Sequence, residues 1–163
     1  MNQGIIHSFP PIVDENCRIL ILGTMPGEES LRQQQYYAHK RNLFWKILSE
    51  VLNEPFTLDY EERKQMLLRH RIALWDVCHN CVRKGSLDSD IKLEVPNKID
   101  ALIEKHPSIQ TIAFNGKKAE ALYKKHFDRL EHLLYLSLPS TSPANASISM
   151  NRKLAAWSRL ASL

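Results

Sequence analysis

The sequence predicts one α/β domain, residues 1–163, built on a mainly parallel sheet with helices on both faces. Two observations predict it. Short runs dominated by Ile, Leu and Val alternate along the chain with segments of helical apolar spacing. The runs are nearly continuous in apolar character, as strands buried on both faces are. At 163 residues the chain is long enough for one real core, and it carries no repeat, low-complexity tract or linker.

The elements follow in order. "CRILILGT" (17–24) reads as a buried strand running into a glycine turn, and a polar loop is expected from there to residue 41. "NLFWKILSEVL" (42–52) places Leu43, Phe44, Ile47, Leu48 and Val51 on one helical face, with Asn42 where an N-cap sits. Asp59 opens a second helix, acidic near its start and basic near its end, in keeping with the helix dipole. "IALWDV" (72–77) is a strand, and "CHNCVRKGSLDSDIK" (78–92) is expected to be a loop. Pro96 is expected to begin a helix. "IQTIAFN" (109–115) is a strand, with a helix entered directly from Gly116. "HLLYLSL" (132–138) is a strand, "PSTSPANAS" (139–147) a loop, and residues 149–163 a closing helix. The amino-terminal "HSFPP" suggests extended packing.

Composition bounds the function. A formal charge of +4 and a mildly basic pI permit a polyanionic partner without demanding one. No apolar run reaches membrane-spanning length, and "IIHSFPPIV" is too short and proline-broken for a signal peptide. Three cysteines, Cys17, Cys78 and Cys81, suit a reducing cytoplasm, which is the expected location. They are too few for a four-thiolate cluster, and nothing has metal-motif spacing, so no metal or cofactor is expected.

In parallel sheets ligands bind at the carboxyl ends of the strands, so "GTMPG" (23–27), "WDVCHNC", "FNGKK" and "LPSTSPANA" should share one rim. "GTMPG" lacks the Lys-Ser/Thr of a P-loop and the spacing of a dinucleotide fingerprint. It is either a plain tight turn or a turn whose amides face a ligand. "PSTS" has no nucleophile elbow, so its hydroxyls either satisfy the backbone or grip phosphates. In "YYAHKRNLFW" (36–45) aromatics interleave with cations, which suits base stacking beside a phosphate backbone. Asn42 within it is a helix cap, and an asparagine fixed there is also well placed to orient a water.

These segments resemble the uracil-DNA glycosylase superfamily over nearly the full length. "GTMPG" resembles its first motif, "YYAHKRNLFWKIL" the helix-leading segment of its mismatch-specific members, and "LPSTSPANA" its second, DNA-penetrating motif. Together with "LWDVC…C.R.GSLDS.I" and "FNGKKA" the set is similar to the hypoxanthine-DNA (deoxyinosine) glycosylase branch. The fold this implies is a three-layer α/β/α sandwich around a four-stranded sheet. Two positions depart from the wider superfamily. Met25 stands where others carry an acidic or amide residue, and Leu138 where many carry histidine. In the hypoxanthine branch the asparagine matching Asn42 supplies the catalytic amide.

The resemblance implies a monofunctional enzyme that flips a deaminated base from double-stranded DNA and leaves an abasic site, with no cofactor, membrane or obligate protein partner. A nucleoid-associated place in the cytoplasm goes with it. Asn42 would orient water at the sugar. Thr24, Met25, Tyr37 and Asp76 would hold the base, with Tyr37 stacking on it. Ser140, Thr141, Ser142, Asn145, Lys40 and Arg41 would hold DNA. An ionised Asp76 would accept from hypoxanthine N1–H and repel the N1 lone pair of adenine. Asp76 equally suits a brace for the following loop. A uracil or G/T-mismatch glycosylase, and an inactive lesion binder motivated by Met25 and Leu138, stay open on the sequence, as does an unrelated small-molecule hydrolase.

Overall fold

The computed structural model describes residues 4–163. Its centre is a four-stranded parallel sheet in the order β3-β2-β6-β7, formed by β2 (Ile19–Gly23), β3 (Ile72–Asp76), β6 (Thr111–Asn115) and β7 (Leu134–Leu138). Each strand lies within a run read as a strand from the sequence. Side chains alternate across the sheet. Leu20, Leu22, Ile112 and Phe114 enter one core with α4 (Ile99–Lys105) and α5 (Lys117–His126). Ile19, Ile21, Ile72, Leu74 and Leu136 enter the other with α2 (Phe44–Val51), α3 (Tyr60–Arg69) and α6 (Met150–Trp157). The result is the three-layer sandwich. Each fully buried Leu or Ile contributes about 1.5–3 kcal/mol, so the alternation across both faces fixes the register.

The structure corrects the sequence reading at three places. Residues 78–92 are not a loop throughout. They contain β4 (Cys78–Val82), which with β1 (Ile5–His7) and β5 (Lys92–Pro96) makes a small antiparallel sheet in the order β1-β4-β5. The polar sequence of β4 hid it, because a half-exposed strand interrupted by register shifts shows no apolar run. Pro96 ends β5 rather than starting a helix, and α4 begins at Ile99. The loop after "GTMPG" contains a short helix, α1 (Glu28–Gln33), too polar to show apolar spacing. The amino-terminal segment is extended, and Ile12 bridges Leu74 through two hydrogen bonds of 2.9 Å, covering the outer edge of β3.

Register aligns the strand ends. Gly23 pairs with Asp76, and Asn115 pairs with Leu138. The four carboxyl termini therefore open on one rim.

Candidate active site

The rim holds a cavity of about 230 Å³. Its floor is the Gly23–Asp76 pair. A Cβ on Gly23 would lie 2.5 Å from Asp76 Oδ1 and 2.6 Å from the Tyr37 hydroxyl, so only glycine leaves room there. The following turn is fastened from outside. Arg83, buried, donates to the Pro26 carbonyl at 2.7 Å and to the Gly85 carbonyl at 2.7 Å. The Thr24 hydroxyl donates to Asp88 Oδ1 at 2.7 Å, and the Glu28 amide donates to Ser86 Oγ at 2.9 Å. The Thr24 and Met25 amides donate to no described residue. Met25 borders the cavity while packing into the core.

Asn42 stands in the cavity wall, partly exposed. Leu43 occupies the formal cap position of α2, and Asn42 caps from one residue further out, its Oδ1 accepting from the Phe44 amide at 2.9 Å. Only oxygen accepts from an N–H, so this bond fixes the carboxamide's orientation. A second Oδ1 lone pair and the NH2 group remain, and the NH2 donates to no described residue.

The neighbouring aromatics divide by role. Tyr36, Phe44 and Trp45 are buried in the core, where the Tyr36 hydroxyl donates to the Pro10 carbonyl at 2.8 Å and Trp45 Nε1 to the Tyr36 carbonyl at 2.8 Å. Tyr37 adopts left-handed backbone (φ 54°) and stacks one ring face on Phe44 with centroids 4.1 Å apart. Its hydroxyl points inward, toward Asp76. Lys40 and Arg41 are exposed and do not line the cavity.

The opposite wall is the loop after β7. Gly116 (φ 97°) lets β6 turn beneath it, where a Cβ would meet Ser140 at 2.9 Å. Asn115 grips Thr141 twice: its Oδ1 accepts from the Thr141 amide and its Nδ2 donates to the Thr141 hydroxyl, each at 3.0 Å. The Thr141 carbonyl accepts from the Leu43 amide at 3.0 Å, tying this loop to the Asn42 segment. Thr141 is 0% exposed, so the expectation that its hydroxyl meets a phosphate does not hold; its side chain is an internal brace. Ser140 and Ser142 each use the hydroxyl oxygen to accept from an amide two residues on, leaving the O–H proton to donate elsewhere. Asn145 donates to the Ser140 carbonyl at 3.1 Å and stabilises the loop from within.

Electrostatics centre on Asp76, which is 3% exposed. Burial, and then the nearby Asp88 carboxylate, push its carboxyl from the ordinary 3.8 to about 7, against the pull of Arg83. Burial also raises Asp88, and burial with the Asp76 charge raises Tyr37 against the pull of the neighbouring Asn115 amide, which comes near the hydroxyl without bonding it. The Tyr37 hydroxyl and Asp76 Oδ2 are buried with no hydrogen-bond partner among the described residues.

All the base-side candidates thus meet in one place: Asn42, Thr24, Met25, Tyr37 and Asp76 border the cavity with Ser140 and Ser142. Sequence reasoning missed Asp88, Asn115 and Arg83. Asn115 had a signal, a strand-terminal amide before a glycine. Asp88 and Arg83 lay in the segment misread as a loop throughout.

Comparisons with known proteins agree with this fold. The family model for the uracil DNA glycosylase superfamily matches residues 10–161. A hypoxanthine DNA glycosylase of Methanosarcina acetivorans is 40% identical over 91% of this chain and 94% of its own length. One of Methanosarcina barkeri is 42% identical over 69% of this chain and 72% of its own. The solution NMR structure of a candidate uracil DNA glycosylase from Methanosarcina acetivorans superimposes with a TM-score of 0.80 at 38% identity, covering 97% of this chain and 99% of that one. By sequence and by fold, the chain belongs to the uracil DNA glycosylase superfamily.

Proposed function

We propose that the protein is a monofunctional DNA glycosylase that removes deaminated bases, hypoxanthine foremost, from double-stranded DNA and leaves an abasic site. The observation that carries this reading is the Asn42 carboxamide in the cavity wall, its orientation set by the 2.9 Å bond from Phe44. Relatives named for hypoxanthine at 40–42% identity support the choice of base.

The glycosidic bond is out of reach in the stack, so the nucleotide must be extruded, at a cost of a few kcal/mol that is least for a mismatched or damaged base. As C1′–N9 breaks, its electron pair leaves with the purine and positive charge grows on the sugar. Asn42 is neutral and cannot deprotonate water. It holds one through Oδ1 against a centre that needs little activation. The water oxygen bonds to C1′ and its proton passes to solvent or to the departing base. The unpaired amides of Thr24 and Met25 are the donors available for the leaving purine. The O–H groups of Ser140 and Ser142 and the charges of Lys40 and Arg41 serve the DNA backbone. Among the described residues no lysine lines the cavity, which favours hydrolysis over a Schiff-base route. Asp76 reads the base through N1.

An alkaline cleavage assay on inosine, uracil and xanthine oligonucleotides, with wild type and Asn42→Ala in parallel, tests the reading. Strand breaks at inosine that vanish in the variant support it. Tight lesion binding without strand breaks in the wild type defeats it.

A further inference from the structure

Two buried polar atoms in the cavity have no partner, and the glycosylase reading as it stands uses one of them. Asp76 Oδ2 is one and the Tyr37 hydroxyl is the other. Both residues line the cavity and crowd the same point above Gly23, yet they are not hydrogen-bonded to each other. Leaving a buried hydroxyl and a buried carboxylate oxygen unsatisfied is unfavourable, so polar atoms that enter the cavity, water or a ligand's own, complete the pair. The conformation of Tyr37 adds to the cost. A bulky residue at φ 54° is strained, and such strain collects at sites where a side chain must be aimed. The aim is the hydroxyl, because one ring face is committed to Phe44, with centroids 4.1 Å apart and planes inclined by 22°.

We infer that Tyr37 is a specificity-determining residue whose hydroxyl works with the Asp76 carboxylate to read a lactam edge, a ring N–H beside a carbonyl, on the base in the cavity. This rests on the glycosylase reading and gives its substrate class. The hydroxyl donates to the carbonyl oxygen and the carboxylate accepts from the ring N–H. Hypoxanthine and xanthine present that edge as N1–H and C6=O, and uracil as N3–H and C4=O. Adenine and cytosine present a bare ring nitrogen beside an amino group, which sets a lone pair against the carboxylate. Guanine and thymine share the lactam edge, and what holds them back is the stability of their own pairs before extrusion.

The test is Tyr37→Phe, which keeps the ring on Phe44 and removes one oxygen. Duplexes carrying deoxyinosine and purine 2′-deoxyriboside, which lacks the 6-oxygen and the N1 hydrogen, are compared by kcat/KM, and the change from wild type to variant isolates the oxygen. The variant is expected to lose about tenfold or more on inosine and little on the purine analogue, narrowing the wild-type preference by that factor while the part set by Asp76 against N1 stays. An unchanged ratio between the two substrates overturns the inference. Calorimetric titration of free hypoxanthine and free purine into both proteins separates this failure from that of the glycosylase reading, since it needs no chemistry. If the wild type cleaves no duplex, glycosylase activity is lost as a reading, and the titration still decides Tyr37. Weaker binding of hypoxanthine alone by the variant supports its role. Equal weakening of both bases, or no binding of hypoxanthine by the wild type, overturns it.

Discussion

Gly23 and Asp76 face each other across adjacent parallel strands, and the Asp76 carboxyl occupies the space a side chain at Gly23 would need. The glycine exists so that the carboxyl and the Tyr37 hydroxyl can lean over it. Gly23→Ala would put a methyl carbon 2.5 Å from Asp76 Oδ1 and 2.6 Å from the Tyr37 oxygen. Overpacking of this kind costs roughly 1–3 kcal/mol. The variant is expected to fold, with a lowered Tm, and to lose most base release because both groups are displaced. Wild-type inosine cleavage by Gly23→Ala would mean that this floor plays no part in the chemistry.

Asn42 combines a structural and a chemical task, and two substitutions separate them. Asn42→Ala removes the cap on α2, a loss of about 1 kcal/mol visible in chemical denaturation. It also removes the water-holding oxygen, for an expected loss of roughly 100-fold or more in single-turnover rate. Asn42→Asp keeps an acceptor for the Phe44 amide and should retain wild-type stability, together with measurable turnover. Equal rates for wild type and Asn42→Ala would assign the residue to capping alone.

The raised Asp76 carboxyl makes base choice depend on pH. Above about 7 it is a carboxylate that accepts from hypoxanthine N1–H; below, its proton can be donated to adenine N1 while Tyr37 accepts from the amino group. The charged groups that set this balance are Asp88, which raises it, and Arg83, which lowers it. Inosine-over-adenine preference, measured in one duplex series from pH 5 to pH 8, should rise roughly tenfold per unit across the range, carried by gain of inosine cleavage up to about 7 and by loss of adenine binding above it. A flat preference, or one kept by Asp76→Ala, would show that the base is read elsewhere.

The same shift has a stability consequence of fixed sign. Folded Asp76 binds its proton more tightly than the unfolded chain does, so its contribution to stability is fully present below 3.8 and is lost as pH rises to about 7. Asp76→Asn carries no such penalty. It should match the wild type in acid and exceed it at pH 8 by at most roughly 4 kcal/mol. Urea denaturation at about pH 3.5 and at pH 8 measures the difference, and a variant less stable at pH 8 contradicts the assignment.

Asn115 links the two walls of the cavity through Thr141, whose carbonyl accepts from the Leu43 amide. Asn115→Ala leaves the buried Thr141 amide unpaired, an expected loss of about 1–3 kcal/mol. Because Leu43 follows Asn42, turnover should fall with no change in the residues that touch the base. Faster amide exchange at Thr141 and Leu43 would report the loosening directly.

The apolar runs and the helical spacing were legible from the sequence, because burial on both faces of a parallel strand leaves no room for polar residues. The shared rim followed from topology alone, and the motifs pointed to Asn42, Tyr37 and Asp76. The strand at Cys78–Val82 was not legible, since its partners, Ile5–His7 and Lys92–Pro96, lie far away in the chain and its polar residues carry no periodic signal. Nor was the division of labour among like residues. Ser140, Thr141 and Ser142 are alike in sequence, yet Asn115 draws Thr141 inside and leaves the other two hydroxyls at the cavity. Tyr36 and Tyr37 are neighbours of one kind, yet one is locked to Pro10 and the other turns its oxygen toward Asp76. Local sequence settles which segments must be buried. The direction of each polar atom depends on partners brought near only by the fold, and that was decided by the tertiary structure.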